Sequence, residues 1–369
     1  MRADAFEKPG GHYFLSHSVG LRPLSADKAL EDNFTRVWRR GDSNMWDVWL
    51  ATIARFREPL GALIGASPDE ICPQTNISSG LAKILFALPE PRGRRKIVLT
   101  EDDFPTIGFV LAQGRRLGYE LVLLEGGSRL ADIDAWTPAF QDDVQLVVAT
   151  QVFSNSAVLA PAAEIARRAR ERGVFAVLDI AQSAGAIPIN LNAIQPDFAL
   201  GTSLKYLCGG PGAAFLWTRR ETAAKTTPLD VGWFSHEEPF EMDIRNFRYA
   251  HDAARFWGGT PSVAPYAMAV AGLEVLLETG IEAVSAHNQR LLTRLLESLP
   301  DGAILSHRKR GERGSAALIA VRDVATASRV LANAGIAHDC RRKAVRVSFH
   351  LYNTDADVDA LLAAVEPLL

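Results

Sequence analysis

The stretch that most constrains this chain runs from Gly173 to Gly212, GVFAVLDIAQSAGAIPINLNAIQPDFALGTSLKYLCGGPG. Its first half contains VFAVL, a short apolar run rich in β-branched residues, as expected of a strand covered on both faces. Its second half contains DFALGTSLKYL, which repeats the pattern before glycines and a proline end it. Two such strands in one parallel sheet bring Asp179 and Lys205 to the same edge, where α/β proteins bind their ligands. On these two residues alone, two readings stay open. In one, Lys205 forms a Schiff base with pyridoxal phosphate (PLP) and Asp179 keeps the pyridine nitrogen protonated. In the other, Asp179 caps a loop and Lys205 is a solvated surface lysine.

The surrounding chain fits a sheet of this kind. KIVLT (96–100), ELVLLE (120–125), VQLVVAT (144–150) and AAFLWT (213–218) read as further buried strands. Between them PAAEIARRARER, from Pro161, is an amphipathic helix closed by Gly173. Alternation of this sort predicts βαβ units and a mainly parallel central sheet, hence an α/β fold. Trp46, Trp49, Ile53, Phe56 and Leu60 recur at helical spacing and read as a core stripe. Ser67-Pro68-Asp69-Glu70 is a helix-start signature. Ser78-Ser79-Gly80 runs straight into the helical LAKILFAL, so its amides and hydroxyls either cradle a phosphate or merely cap their own helix. Residues 228–259 lack periodicity, and a loop of that length is usually functional or crosses an interface. A long helical region over 264–299 leads into strand-like AALIAV, a helix over 326–334, a strand over 345–349 and a helix from Asp355. With 369 residues, these segments predict a large domain over 15–250 and a smaller α+β domain from 1–14 and 260–369.

A formal charge of -3 gives no electrostatic case for nucleic acid or an anionic membrane as partner. The basic runs at 92–96 and 308–310 are short and read as solvated turns. Cys72, Cys208 and Cys340 are scattered, with neither a disulfide framework nor metal-ligand spacing, so a reducing compartment and no metal are expected. MRADAFEKPGG has no apolar signal core, and no segment has the apolar run a membrane span needs. The expectation is a cytoplasmic protein.

Four motifs in order, Asp179-Ile180-Ala181-Gln182, Thr202-Ser203-Leu204-Lys205, Gly258-Gly259-Thr260-Pro261 and Arg346 through Thr354 (RVSFHLYNT), resemble the class V aminotransferase family of fold-type I PLP enzymes. The resemblance covers nearly the whole chain and implies PLP as cofactor, with an amino acid or amino-acid-like molecule as substrate. It makes Lys205 the Schiff-base lysine and Asp179 the partner of the pyridinium nitrogen. Gln182 stands where the family places a His or Gln on the phenolic oxygen, and Asn155 matches an asparagine near that oxygen and the substrate. Ser78, Ser79 and Thr202 match phosphate contacts. Thr260 matches a residue reaching the partner subunit's phosphate, which implies a homodimer with shared active sites. Arg346 matches the arginine receiving the substrate α-carboxylate, a task suited to a planar guanidinium. His17 is a further candidate for the substrate side.

Within the class the chain is most similar to kynureninases. Tyr13-Phe14-Leu15 with Ser18-Val19-Gly20-Leu21 resembles their N-terminal segment. Phe104-Pro105-Thr106 resembles the element that lays a phenylalanine over the PLP ring. Gly232 through Glu237 (GWFSHE) resembles a loop that sets Trp233 near the phosphate or substrate. Three departures stand beside this: Leu204 replaces a tyrosine, Gln182 a histidine and Ile107 an aspartate. The first removes an acid/base hydroxyl from beside the lysine. Cysteine desulfurases are a poorer match, since they place a histidine over the ring where this chain has Phe104, and Cys340 reads as structural. The resemblance therefore implies aminotransferase-like chemistry, with kynureninase-type Cβ–Cγ hydrolysis or Cβ lysis as the alternative. Two competing classes are a non-catalytic PLP-binding protein and a plain doubly wound protein with another phosphate ligand. The chain carries no dinucleotide or triphosphate glycine fingerprint after a first strand.

Overall fold

The computed structural model describes residues 2–90, 93–341 and 343–369; Arg92 of the first basic run and Arg342 near Cys340 lie outside them. Seven strands form the central sheet: β1 (Ile71–Gln74), β2 (Lys96–Thr100), β3 (Glu120–Leu124), β4 (Val144–Thr150), β5 (Phe175–Asp179), β6 (Phe198–Thr202) and β7 (Ala214–Thr218). Their spatial order is β1-β7-β6-β5-β4-β2-β3. The pairs from β6 through β3 are parallel, whereas β7 runs antiparallel to both β6 and β1. All seven residues of β4 are buried, Gln145 and Thr150 along with its apolar ones, as in a strand covered on both faces. Parallel neighbours end together, so Thr100, Thr150, Asp179 and Thr202 come to one edge.

The expected helix start at Ser67 became something shorter. Glu70 Oε2 does accept from the Ser67 amide at 3.2 Å, but Pro68–Glu70 is a single 3-10 turn that hands the chain to β1. Pro73 lies within β1 and cannot donate to a ladder, which is tolerated because β1 is the outermost strand. The helical region after residue 260 is two helices, Ala264–Thr279 and Ile281–Ser298, broken at Gly280, whose φ is +83°. The first buries Tyr266, Ala269 and Leu273 with Ile53, Phe56 and Leu60 against the large sheet. The second buries Leu291, Leu292 and Leu295 with Val345, Val347 and Leu361. The change of packing partner thus falls at Gly280. Beyond it, β8 (Ala316–Ala320), β9 (Asp339–Arg341) and β10 (Ala344–Ser348) form an antiparallel sheet in the order β9-β10-β8. The N-terminal strand His12–Tyr13 pairs in parallel with Ile336–Ala337.

The loop carrying Lys205 is held from several directions. The Gly20 amide donates to Leu204 O at 2.8 Å, and His350 Nε2 donates to Tyr206 O at 2.8 Å. A methyl group at Gly20 would meet Lys205 O at 2.1 Å, one at Gly185 Tyr206 O at 2.6 Å, and one at Gly272 Leu207 O at 2.2 Å. Three segments therefore touch three successive carbonyls of this loop, each through a glycine. Gln182 Nε2 ties the same N-terminal segment down by donating to His17 O at 3.0 Å.

Two measurements check this clamp. Gly20→Ala is expected to cost about 2 kcal/mol or more in urea unfolding, because the added methyl meets backbone rather than a yielding side chain. Gly10→Ala, with nothing within 4 Å, is expected to change stability by less than about 0.5 kcal/mol. Burial holds His17 and His350 down at about 4, below their ordinary value of 6.5. A histidine depressed in the folded state contributes its stability above its unfolded pKa, and loses it as pH falls toward the folded one. Stability should therefore fall from pH 7 to pH 4, with each histidine accounting for up to about 3 kcal/mol. Urea midpoints across that range measure the slope, and His350→Gln, which keeps a donor for Tyr206 O, should flatten part of it.

Candidate active site

The edge formed by β2, β4, β5 and β6 opens into a cavity of about 230 Å³. Asn76, Ser78, Phe104, Thr106, Thr150, Asp179, Gln182, Thr202, Leu204 and Lys205 are among the residues that line it. Asp179 ends β5, where its Oδ1 accepts from the Ala181 amide at 2.9 Å. Its other oxygen has no partner among the described residues. Lys205 Nζ stands 5.6 Å from the centroid of the Phe104 ring. Phe104 itself is 47% exposed, and it is placed over the lysine by Pro105, which starts the next helix. Burial pushes the Asp179 carboxyl up and the Lys205 amine down, each toward its neutral form, and their mutual attraction opposes this.

A second carboxylate is buried nearby. Asp103 accepts from Thr150 Oγ1 at 2.5 Å and from the Thr100 amide at 2.7 Å. Burial, with Asp179 adding repulsion, raises it to about 6. Its bonds fix the turn that aims Phe104, a role with no signal in the residues beyond the turn itself.

The serine turn divides its work. Asn76 caps helix Ile77–Ala87, accepting from the Ser79 amide at 2.9 Å and from Ser79 Oγ at 3.1 Å. Ser78 Oγ, at the first turn of that helix, makes no protein hydrogen bond among the described residues and lines the cavity. Thr202 Oγ1 accepts from the Leu204 amide at 3.3 Å, leaving its proton to donate. Ser79 turns instead to a neighbouring polar cleft, shared with Thr75, Lys83, Asp230 and Thr260. There Lys83 Nζ donates to Phe256 O at 3.0 Å and to Trp257 O at 2.5 Å, tying the Thr260 turn to the serine helix.

Other expected site residues stand apart from the cavity. Trp233 packs against Trp46, Phe234 and Phe240, beside a surface groove of residues 231–247. Asn155 is half-buried in the loop after Ser154, which itself lines the cavity. Arg346 and His17 meet at a corner behind Ser154, and each faces Asp339, a residue the sequence reading missed. Arg346 Nε donates to Asp339 Oδ1 at 2.8 Å and Nη2 to Oδ2 at 2.5 Å. His17 Nε2 is 3.1 Å from Asp339 Oδ1, within ion-pair reach but out of line for a hydrogen bond.

The cavity fits PLP on its own chemistry. It offers a buried amine, a carboxylate oxygen free for a protonated ring nitrogen, and hydroxyls at a helix N-terminus that suit a phosphate.

The comparisons with known proteins agree. The class-V aminotransferase family profile matches residues 25–361. The chain is 30% identical to the kynureninase of Burkholderia mallei over 85% of its own length and 78% of that protein. It is 32% identical to the kynureninase of Deinococcus radiodurans over 84% and 78%. Among solved structures, a cysteine desulfurase from Thermococcus onnurineus superposes with a TM-score of 0.86 at 21% identity, covering 97% of this chain and 94% of that one. The cystine C–S lyase C-DES, solved with its product cysteine persulfide, gives 0.89 at 20%, covering 97% and 98%. These two likenesses show the fold, fold-type I. The chain belongs to the class-V aminotransferase family and is a PLP-dependent enzyme.

Proposed function

We propose that this enzyme acts on an amino acid or amino-acid-like molecule and carries out aminotransferase-like chemistry at the substrate Cα. The observation that carries the reading is the common cavity of Lys205, Asp179 and Phe104. PLP, when bound, supplies an electron sink for a carbanion at Cα. Lys205 is the covalent anchor and the base that moves the Cα proton, and burial favours the neutral amine this requires. Asp179 holds the ring-nitrogen proton through a charge-assisted hydrogen bond. Phe104 stacks on the ring and shields it from water. Gln182 serves the phenolic oxygen and Ser78 and Thr202 the phosphate, whereas Ser79 faces the neighbouring cleft and Asn155 stands outside the cavity lining. Arg346 receives the substrate carboxylate, with His17 beside it.

Thr260 and Trp233 stand apart from the cavity of their own chain, which supports their serving the cavity of a second copy in a homodimer. Exposed Phe240, Met242, Ile244 and Phe247 give the loop near Trp233 an apolar face that such a partner would cover. All three cysteines are free, in keeping with a reducing, cytoplasmic setting. No helix among the described residues is long and apolar enough to cross a membrane.

Kynureninase-type hydrolysis is the second reading, favoured by the identity to two kynureninases. Against it stands Leu204, which lines the cavity with an isobutyl group where the kynureninase resemblance implies a tyrosine hydroxyl. Purified protein should show the visible absorbance of lysine-linked PLP, and Lys205→Ala should abolish it; a variant that keeps the band would overturn the assignment. Incubation with kynurenine is expected to release no anthranilate above background, and release at a catalytic rate would establish the second reading.

A further inference from the structure

Asp339 and Arg346 are directly opposite across the antiparallel pair β9 and β10, so strand register rather than a movable loop brings them together. The carboxylate occupies the guanidinium fork with two hydrogen bonds, and Arg346 Nη1 donates to Ser154 O at 2.7 Å. Arg341 Nη1 lies 3.3 Å from Asp339 Oδ2. The Arg346 side chain is 2% exposed and that of Asp339 22%, so a ligand reaching this corner meets carboxylate before guanidinium. A planar fork of this type matches one carboxylate in its plane, and here an internal one fills it.

We propose that Asp339 is a specificity-determining residue that stands in for a substrate carboxylate on Arg346, so that every carboxylate-bearing substrate must compete with it. The proposal rests on the reading of Arg346 as the carboxylate-receiving group. Charge favours exchange over a permanent block. Among the described residues, the corner holds two guanidinium cations, Arg346 and Arg341, against one carboxylate, and His17 is neutral near pH 7. An incoming carboxylate brings that corner to neutrality. Arg341 is already close enough to receive Asp339 when it leaves Arg346. The consequence is selection. A lone α-carboxylate gains little from Arg346, because an existing buried pair has to open first. Small α-amino acids are thereby disfavoured relative to substrates that bring additional anchoring groups.

The test uses PLP-loaded enzyme, with loading confirmed by its visible absorbance before any amine is added. L-alanine and L-alaninamide are then titrated while the cofactor absorbance is followed. In the wild type their dissociation constants should agree within about threefold, whereas an open guanidinium would favour alanine tenfold or more. In Asp339→Asn, alanine should tighten about tenfold while alaninamide stays unchanged, and adding Arg346→Gln should erase the gain. A wild-type preference for alanine of tenfold or more overturns the proposal. So does an Asp339→Asn variant that binds alanine no better or more weakly, as a residue that only positions Arg346 would. The wild-type comparison needs no variant and keeps the proposal open to refutation even if Asp339→Asn does not fold. Failure to take up PLP at the loading step would instead overturn the assignment of the cavity itself.

Discussion

An amine and a carboxylate, both taken out of water at one sheet edge, set the terms for the rest of this molecule. Neither Lys205 nor Asp179 is comfortable there: burial shifts both toward their neutral forms, and their attraction only partly offsets it. A chain that keeps such a pair must invest elsewhere in holding them still. The investment is visible in the unbroken apolar strands beneath them and in the loop above. A cationic ring nitrogen opposite Asp179, and an imine bond in place of the free amine, would relieve both groups at once. A cofactor held as proposed would complete the electrostatics of this edge as well as supply its chemistry.

The clamp on the lysine loop follows from the same need. A lysine with the covalent role proposed for Lys205 needs a loop that holds it still, since small misplacements are costly in rate. Glycines at 20, 185 and 272 let three backbones come within contact distance of residues 205–207. His350 reaches in from the far side. The arrangement is tight because no side chain intervenes, and it draws on elements far apart in sequence.

Much of this was legible in the residues. The mainly parallel sheet and the positions of Asp179 and Lys205 follow from local patterns of period and punctuation, whereas the aromatic residue over the lysine comes only from the family resemblance. What stayed hidden has physical causes. β1 was missed because Pro73 argues against a strand, and only its place at the sheet margin makes it one. The break at Gly280 was missed because a glycine inside an apolar helical pattern reads equally as tolerated or terminal. The division of labour between Ser78 and Ser79 depends on which hydroxyl Asn76 captures, which spacing alone does not decide. Asp339 was invisible because its meaning lies wholly in its register opposite Arg346, 7 residues away across a reversal of the chain.

The N-terminal strand His12–Tyr13 pairs with Ile336–Ala337, and the segment after it reaches the lysine loop through Gly20. This bears on the order in which the molecule is made. As the chain leaves the ribosome, Lys205 and the seven strands of the sheet emerge well before residues 336–350 exist. The strand His12–Tyr13 has no pairing partner until then. The sheet is free to form early, yet the reactive amine receives its final grip only when the last tenth of the chain arrives and the two ends of the molecule close over it.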